Sequence, residues 1–206
     1  MILFDVHVIC AGNFGREVAA FVPECLPSGE YRLASVRDLF VDQPFTAAPT
    51  DRFVIATSDP ILRLRLGAHL AAHRAELVSL VHPRAYVASS ASIGAGCLVL
   101  PLSFVGVNAR LAPNVAINVQ ATVGHDVELG PGCMVQPHAM LAGRVTAGRA
   151  CLFSAHSFVA AGLSVGENSR LAPGVMVSRS IAADSLAAGN PATARVLYRP
   201  LDELLR

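Results

Sequence analysis

The chain has 206 residues, a net charge of +1 and only 15% charged residues, so no strong field selects nucleic acid or an anionic membrane as a partner. All sixteen basic residues are arginine, which excludes a lysine Schiff base or a phosphate-loop lysine. The length admits one large domain or two small ones, and no apolar run reaches membrane-spanning length.

The opening MILFDVHVIC lacks the basic segment and small-residue cleavage site of a secretory signal and reads as a first strand ending in HVIC, His7–Cys10. The loop AGNFG follows, and REVAAFV can start a helix. Tyr31–Val36 and Phe53–Thr57 are further strand candidates. Asp59-Pro60 is a helix start, an acidic N-cap followed by proline at N1, and the segment 61–75 is rich in Leu, Arg and Ala. Leu77–Val81 reads as a fourth strand. Strands alternating with helices predict a parallel sheet. The spacing Gly12-x-x-Gly15 after the first strand suits either a phosphate approached by backbone amides or a tight strand–helix turn.

From Val87 to Val177 an apolar residue returns at every sixth position, sixteen in succession. In a chain that is 53% hydrophobic this arises by chance at roughly 2 × 10⁻⁴, allowing six phases. A period of six is neither the 3.6 of a helix nor the 2 of a strand. It is the mark of a hexapeptide β-helix, with three short strands and eighteen residues per turn. Five full coils fit, without an inserted loop. Residues n and n+18 then stack one strand spacing (~4.8 Å) apart. Cys97, Val115, Cys133, Cys151 and Ser169 form one column, so these cysteines read as packing. With no CxxC among five cysteines, neither a zinc ribbon nor a disulfide framework is expected, and a reducing, cytoplasmic compartment fits.

His125 carries the first chemistry. It lies just past inward-facing Val123, near a corner, with Asp126 beside it. An imidazole next to a carboxylate suits a general base near neutral pH, or simply a surface histidine. Its column neighbour Gly143 has no side chain and is expected to leave open space beside the ring for a thioester. His138 and His156 also stack, with Gln120 and Gly174 flanking them. A shared metal would lack an evident third ligand, so surface or interface histidines are expected and no metal.

Nearly the whole chain resembles the NeuD/PglD-like family of bacterial sugar O-/N-acyltransferases. The resemblance rests on "CAGNFGREV", "FVIATSDPILRLRL", "VHPRAYV", "AINVQATVGHDVELG", "AMLAGRVTAG" and "AAGNPATARV", in order and at matching spacings. It implies an α/β Rossmann-like nucleotide-sugar-binding domain over residues 1–80. A left-handed parallel β-helix with a short C-terminal tail would follow over 81–206. It implies acetyl-CoA-dependent transfer to an amino or hydroxyl group of a nucleotide-linked bacterial sugar, N- or O-, with sialic-acid-type O-acetylation as the alternative. His125 would be the general base and Asp126 its orienting acid. Asn118, Gly12, Asn13, Phe14 and Gly15 would contact the acceptor, and Asp38 would face its base or ribose. Ala142, Gly143, Ala161 and Gly162 would line acetyl-CoA.

Some members carry histidine at the place of Phe14, and some carry a second histidine nine residues after the base, here Met134. A γ-carbonic-anhydrase-like zinc enzyme on the same solenoid would need a second histidine five residues after His125, where Gly130 stands. A non-catalytic sugar-binding solenoid is the remaining reading. One face of six extended residues separates Asn118 from His125 by on the order of 15–20 Å. One site can use both only across a subunit boundary, which fits the homotrimer that the resemblance implies.

Overall fold

The computed structural model describes residues 3–10, 12–27, 29–38, 46–197 and 199–205. An N-terminal α/β unit packs on a parallel β-helix, and the elements of each follow from local sequence.

In the first unit, β1 (Phe4–Cys10), β2 (Tyr31–Asp38), β3 (Asp51–Ala56) and β4 (Glu76–Leu77) form a parallel sheet in the order β2-β1-β3-β4. Helix α1 (Asn13–Cys25) buries Gly15, Val18, Ala19 and Val22, an i, i+3, i+4, i+7 stripe. Gly15 is dictated by contact: a Cβ there would lie 1.9 Å from Cys10 Cβ. Helix α2 (Pro60–Ala72) begins as its sequence predicts, with the Asp59 carboxylate accepting from the Ile61 and Leu62 N–H groups and proline in the first turn.

The expected strand Leu77–Val81 is divided. Leu77 closes the N-terminal sheet beside Phe53, whereas Leu80–Val81 pairs with Leu98–Val99 as the first strand of the solenoid. An apolar run carries no mark of which sheet each half will join.

The solenoid has three faces of two-residue strands, each pairing with the strand eighteen residues on. Face one runs from Tyr86–Val87 through Phe104–Val105, Thr122–Val123, Met140–Leu141 and Phe158–Val159 to Met176–Val177. Face two comprises Ser92–Ile93, Arg110–Leu111, Glu128–Leu129, Thr146–Ala147 and Ser164–Val165. Face three runs from Leu80–Val81 to Arg170–Leu171 and is closed by the hairpin Ser185–Ala188/Thr193–Val196. From Val87 to Val177 the second residue of each pair points inward, and these form the core predicted from the six-fold period. Cys97, Cys133 and Cys151 lie fully buried in it, their thiols donating to the carbonyls of Ala112, Gly148 and Gly166.

From Leu102 to Asn168 each corner holds one residue in the left-handed region. Leu102, Asn108, Asn114, Gln120, Asp126, Gly132, His138, Arg144, Ala150, His156, Gly162 and Asn168 all have φ between 54° and 73°. Gly and Asn suit this conformation, but leucine, alanine and histidine do not. Pairing on three faces imposes the corner on whatever residue the frame places there.

The outward side chains give the faces different fates. Face two is polar. Leu98, Ala116 and Met134 of face three are buried against Val6, Val8, Val18, Val22 and Val54 of the N-terminal unit. Arg63 fastens this junction. It is fully buried and donates to the carbonyls of Asn114, Ile55, Thr57 and Gly96. Gly67 allows the approach of α2, since a Cβ there would meet Asn114 Nδ2 at 2.3 Å. Face one remains uncovered: Tyr86, Phe104, Met140 and Met176 are exposed, with Tyr86 stacked on Phe104 at 5.0 Å.

Candidate active site

His125 and Asp126 lie at the corner between faces one and two, both about half exposed. Asp126 takes the left-handed corner position with φ 56°. Its Oδ2 lies 2.7 Å from His125 Nδ1, and its Oδ1 accepts from Asn108 Nδ2 at 3.1 Å. These two bonds, the one to His125 foremost, hold the Asp126 carboxyl below the usual carboxylate range. With Nδ1–H held by a carboxylate, the Nε2 lone pair is available to take a proton.

The ring is aimed along the solenoid. A Cβ on Gly143 would lie 2.2 Å from His125 Nε2 and 2.4 Å from Cε1. The space expected beside the ring is therefore not open: the imidazole itself fills it, and glycine at 143 is what admits it. Gly143 is buried, Ala142 half-buried, and Ala161 and Gly162 exposed on the next coil. The N–H groups of Ala142 and Arg144 donate to Val159 and His125 carbonyls, while that of Gly143 has no backbone acceptor among the described residues.

Asn118 is buried at the opposite edge of face one, its Nδ2 donating to Gln136 Oε1 at 3.3 Å and its Oδ1 accepting from the Val119 N–H at 2.7 Å. Within one chain the structure does not bring it to His125. At the ends of β1 and β2 it does gather the other acceptor candidates. Cys10 and Asp38 are register partners, and the Cys10 thiol donates to Asp38 Oδ1 at 3.6 Å. Gly12 at φ 81° turns the chain into α1, whose N-terminus has no side-chain cap and no acidic residue in its first turn. Gly12, Asn13 and Asp38 are exposed and Phe14 is half-buried.

Met134 is buried in the junction with the N-terminal unit. His138 and His156 stack at 4.7 Å, ring planes 7° apart, on exposed corners. No group of three or more His, Cys, Asp or Glu side chains gathers around them or elsewhere among the described residues. Asn108, absent from the sequence reading, was findable as the residue eighteen before Asp126.

The fold is that of the hexapeptide-repeat, β-helix acyltransferases. No protein-family model and no curated protein matches the chain. Among solved structures, PerB from Caulobacter crescentus in complex with CoA and GDP-perosamine is similar. It is 26% identical, covers 95% of this chain and 98% of its own, and has a TM-score of 0.82. Two structures of the same perosamine N-acetyltransferase, also with both ligands, carry asparagine or alanine in place of one histidine. The acetyltransferase domain of PglB from Neisseria gonorrhoeae, in complex with acetyl coenzyme A, is 24% identical over 93% of this chain and 98% of its own, TM-score 0.80, and shows the shared fold. WeeI from Acinetobacter baumannii shows it too, at 19% identity over 93% of this chain and all of its own, TM-score 0.74. Two of these neighbours are acetyltransferases, one of them acting on a nucleotide-linked sugar, so the family resemblance read from the motifs is borne out.

Proposed function

We propose that the chain is an acetyl-CoA-dependent N-acetyltransferase acting on an amino group of a nucleotide-linked sugar. The carrying observation is the Asp126–His125 pair, with Nε2 free and the imidazole seated over Gly143. The amine nitrogen of the acceptor attacks the thioester carbonyl while Nε2 takes its proton. The tetrahedral oxyanion is met by the Gly143 N–H, which has no backbone acceptor among the described residues. Collapse breaks the carbon–sulfur bond, and the imidazolium returns a proton to the departing thiolate. No solenoid thiol takes part, since these cysteines are buried and burial pushes the Cys97 thiol up to about 11.

Residues 1–80 serve as the Rossmann-like acceptor domain and 81–206 as the catalytic β-helix. The strand order β2-β1-β3-β4 has its switch point at β1/β3, where open α/β sheets take ligands beyond the carboxyl ends of their strands. The Gly12–Gly15 turn at the α1 N-terminus suits a diphosphate, and Asp38 suits the ribose or base. Acetyl-CoA runs along Ala142, Gly143, Ala161 and Gly162. Arg179, eighteen residues beyond Ala161, lines a pocket of about 320 Å³ with Thr193 and supplies positive charge for the phosphates of CoA.

The enzyme works as a homotrimer in the cytoplasm of a bacterium. Two observations support the trimer: the uncovered apolar face one, and its placement between the His125 corner and Asn118. Packing through that face brings Asn118 of one subunit toward His125 of the next. No helix among the described residues is long and apolar enough to cross a membrane.

The test is release of free CoA from acetyl-CoA across a panel of UDP-, GDP- and CMP-linked amino sugars, with His125→Ala as control. Acceptor-dependent release abolished by H125A supports the reading. Release that is unchanged in H125A, or absent with every acceptor, overturns it.

A further inference from the structure

Ser90, Asn108, Asp126 and Arg144 follow one another along the His125 corner at eighteen-residue intervals. The Asn108 N–H donates to Ser90 Oγ at 3.1 Å, and Asn108 Nδ2 donates to Asp126 Oδ1 at 3.1 Å. Asp126 divides its carboxylate: Oδ1 goes to Asn108 and Oδ2 to His125 Nδ1 at 2.7 Å. Asn108 and Asp126 share the same corner conformation, φ 58° and 56°, so their side chains leave the solenoid in parallel, one strand spacing apart.

The need for a clamp follows from exposure. Both members of the His125–Asp126 pair are about half in solvent, and the terminal torsion of an aspartate is broad. A carboxylate held by one bond alone would rotate and release the imidazole. From these contacts we infer that Asn108 is a positioning residue for the proton-transfer pair. Its amide fixes the rotation of the Asp126 carboxylate, which in turn holds His125 as the Nδ1–H tautomer with Nε2 free. Asn108 is also a cause, after His125, of the lowered Asp126 carboxyl. The consequence for turnover rests on the acetyltransferase reading; the tautomer control does not.

Asparagine is common at left-handed corners for backbone reasons alone, so the test must separate backbone from amide. Asn108→Gly suits the corner at least as well while deleting the donor. Asn108→Asp keeps the shape but sets a second carboxylate beside Asp126. Asn108→Gln keeps the amide on a residue that occupies an equivalent corner at Gln120, φ 56°.

The readout is histidine-selective ¹⁵N NMR of the full-length protein with the imidazole deprotonated. Wild type should show His125 as a single Nδ1–H tautomer. N108G should show a tautomer mixture with unchanged melting, N108D a stronger loss, and N108Q partial recovery. Turnover in N108G should fall roughly tenfold to hundredfold, the range over which partners of a functional side chain are felt, with KM for acetyl-CoA unchanged. A single Nδ1–H tautomer retained in N108G overturns the inference. A tautomer shift in N108G, with no acceptor turned over by wild type, sustains the positioning role and sinks the acetyltransferase reading instead.

Discussion

The imidazole of His125 occupies the volume that a side chain on Gly143 would fill, so that a Cβ there would lie 2.2 Å from Nε2. The neighbour in conflict is the end of a flexible side chain. Gly143→Ala should therefore leave the solenoid and its melting temperature nearly intact while swinging the ring off its seat. Turnover should drop about a hundredfold or more, because the base must lie within hydrogen-bond reach of its proton. A G143A enzyme with wild-type kcat would show that the ring works from another position.

Asp126 sets the pH behaviour. Its carboxyl is held low in the folded state, so its contribution is present above the ordinary carboxylate pKa of about 4 and is lost as pH falls through the lowered value. It stays ionised above the ordinary carboxylate range, so the acid limb of kcat/KM should carry no second, carboxylate ionisation. Asp126→Asn should cost roughly tenfold to thousandfold in kcat, because an amide can turn its NH₂ toward Nδ1 and favour the tautomer protonated at Nε2. Two acid-limb ionisations in the wild type would contradict this account.

Met140 stands in the exposed column of face one. A charge there cannot be buried against a second subunit without a partner. Met140→Arg should convert a particle of three subunit masses into monomers by light scattering. It should also abolish turnover although no catalytic group has changed. A wild-type monomer that turns over substrate would refute the shared site.

Arg179 follows the last strand of face one, Met176–Val177, at the C-terminal end of the solenoid. Arg179→Ala should raise KM for acetyl-CoA about tenfold, the worth of one charge-assisted hydrogen bond. It should leave KM for acetyl-pantetheine unchanged, since that donor lacks the nucleotide phosphates. Equal effects on both would place the arginine elsewhere in the mechanism.

Arg63 tests the junction between the two units. Burial pulls its guanidinium down to about 10, still charged at neutral pH, and backbone carbonyls surround it. Arg63→Met would strand those carbonyls at about 1–3 kcal/mol each. Calorimetry should show the melting temperature falling by roughly 10 °C or more. No change would mean that the apolar contacts around Met134 and Leu98 hold the junction alone.

The solenoid was legible because its period is a direct consequence of burial. A residue that points inward once per short strand must be apolar at Val87, Ile93, Val99 and onward, whatever else the protein does. The corners were not legible in the same way. Leu102, Gln120, Ala150 and His156 share one left-handed conformation with no common residue type, because the ladder on either side enforces it. The run Leu77–Val81 gave no sign of its division between two sheets, since both destinations are equally apolar.

The sequence by itself determined the repeat, its eighteen-residue columns, the burial of the cysteines and the pairing of His125 with Asp126. These depend on neighbours along the chain or one fixed interval away. Only the tertiary structure decided that the imidazole lies in the void at Gly143, that Asn108 takes the second carboxylate oxygen, and that face three is covered while face one is not. Those outcomes depend on side-chain torsions and on how the two units meet, and neither is encoded in a spacing.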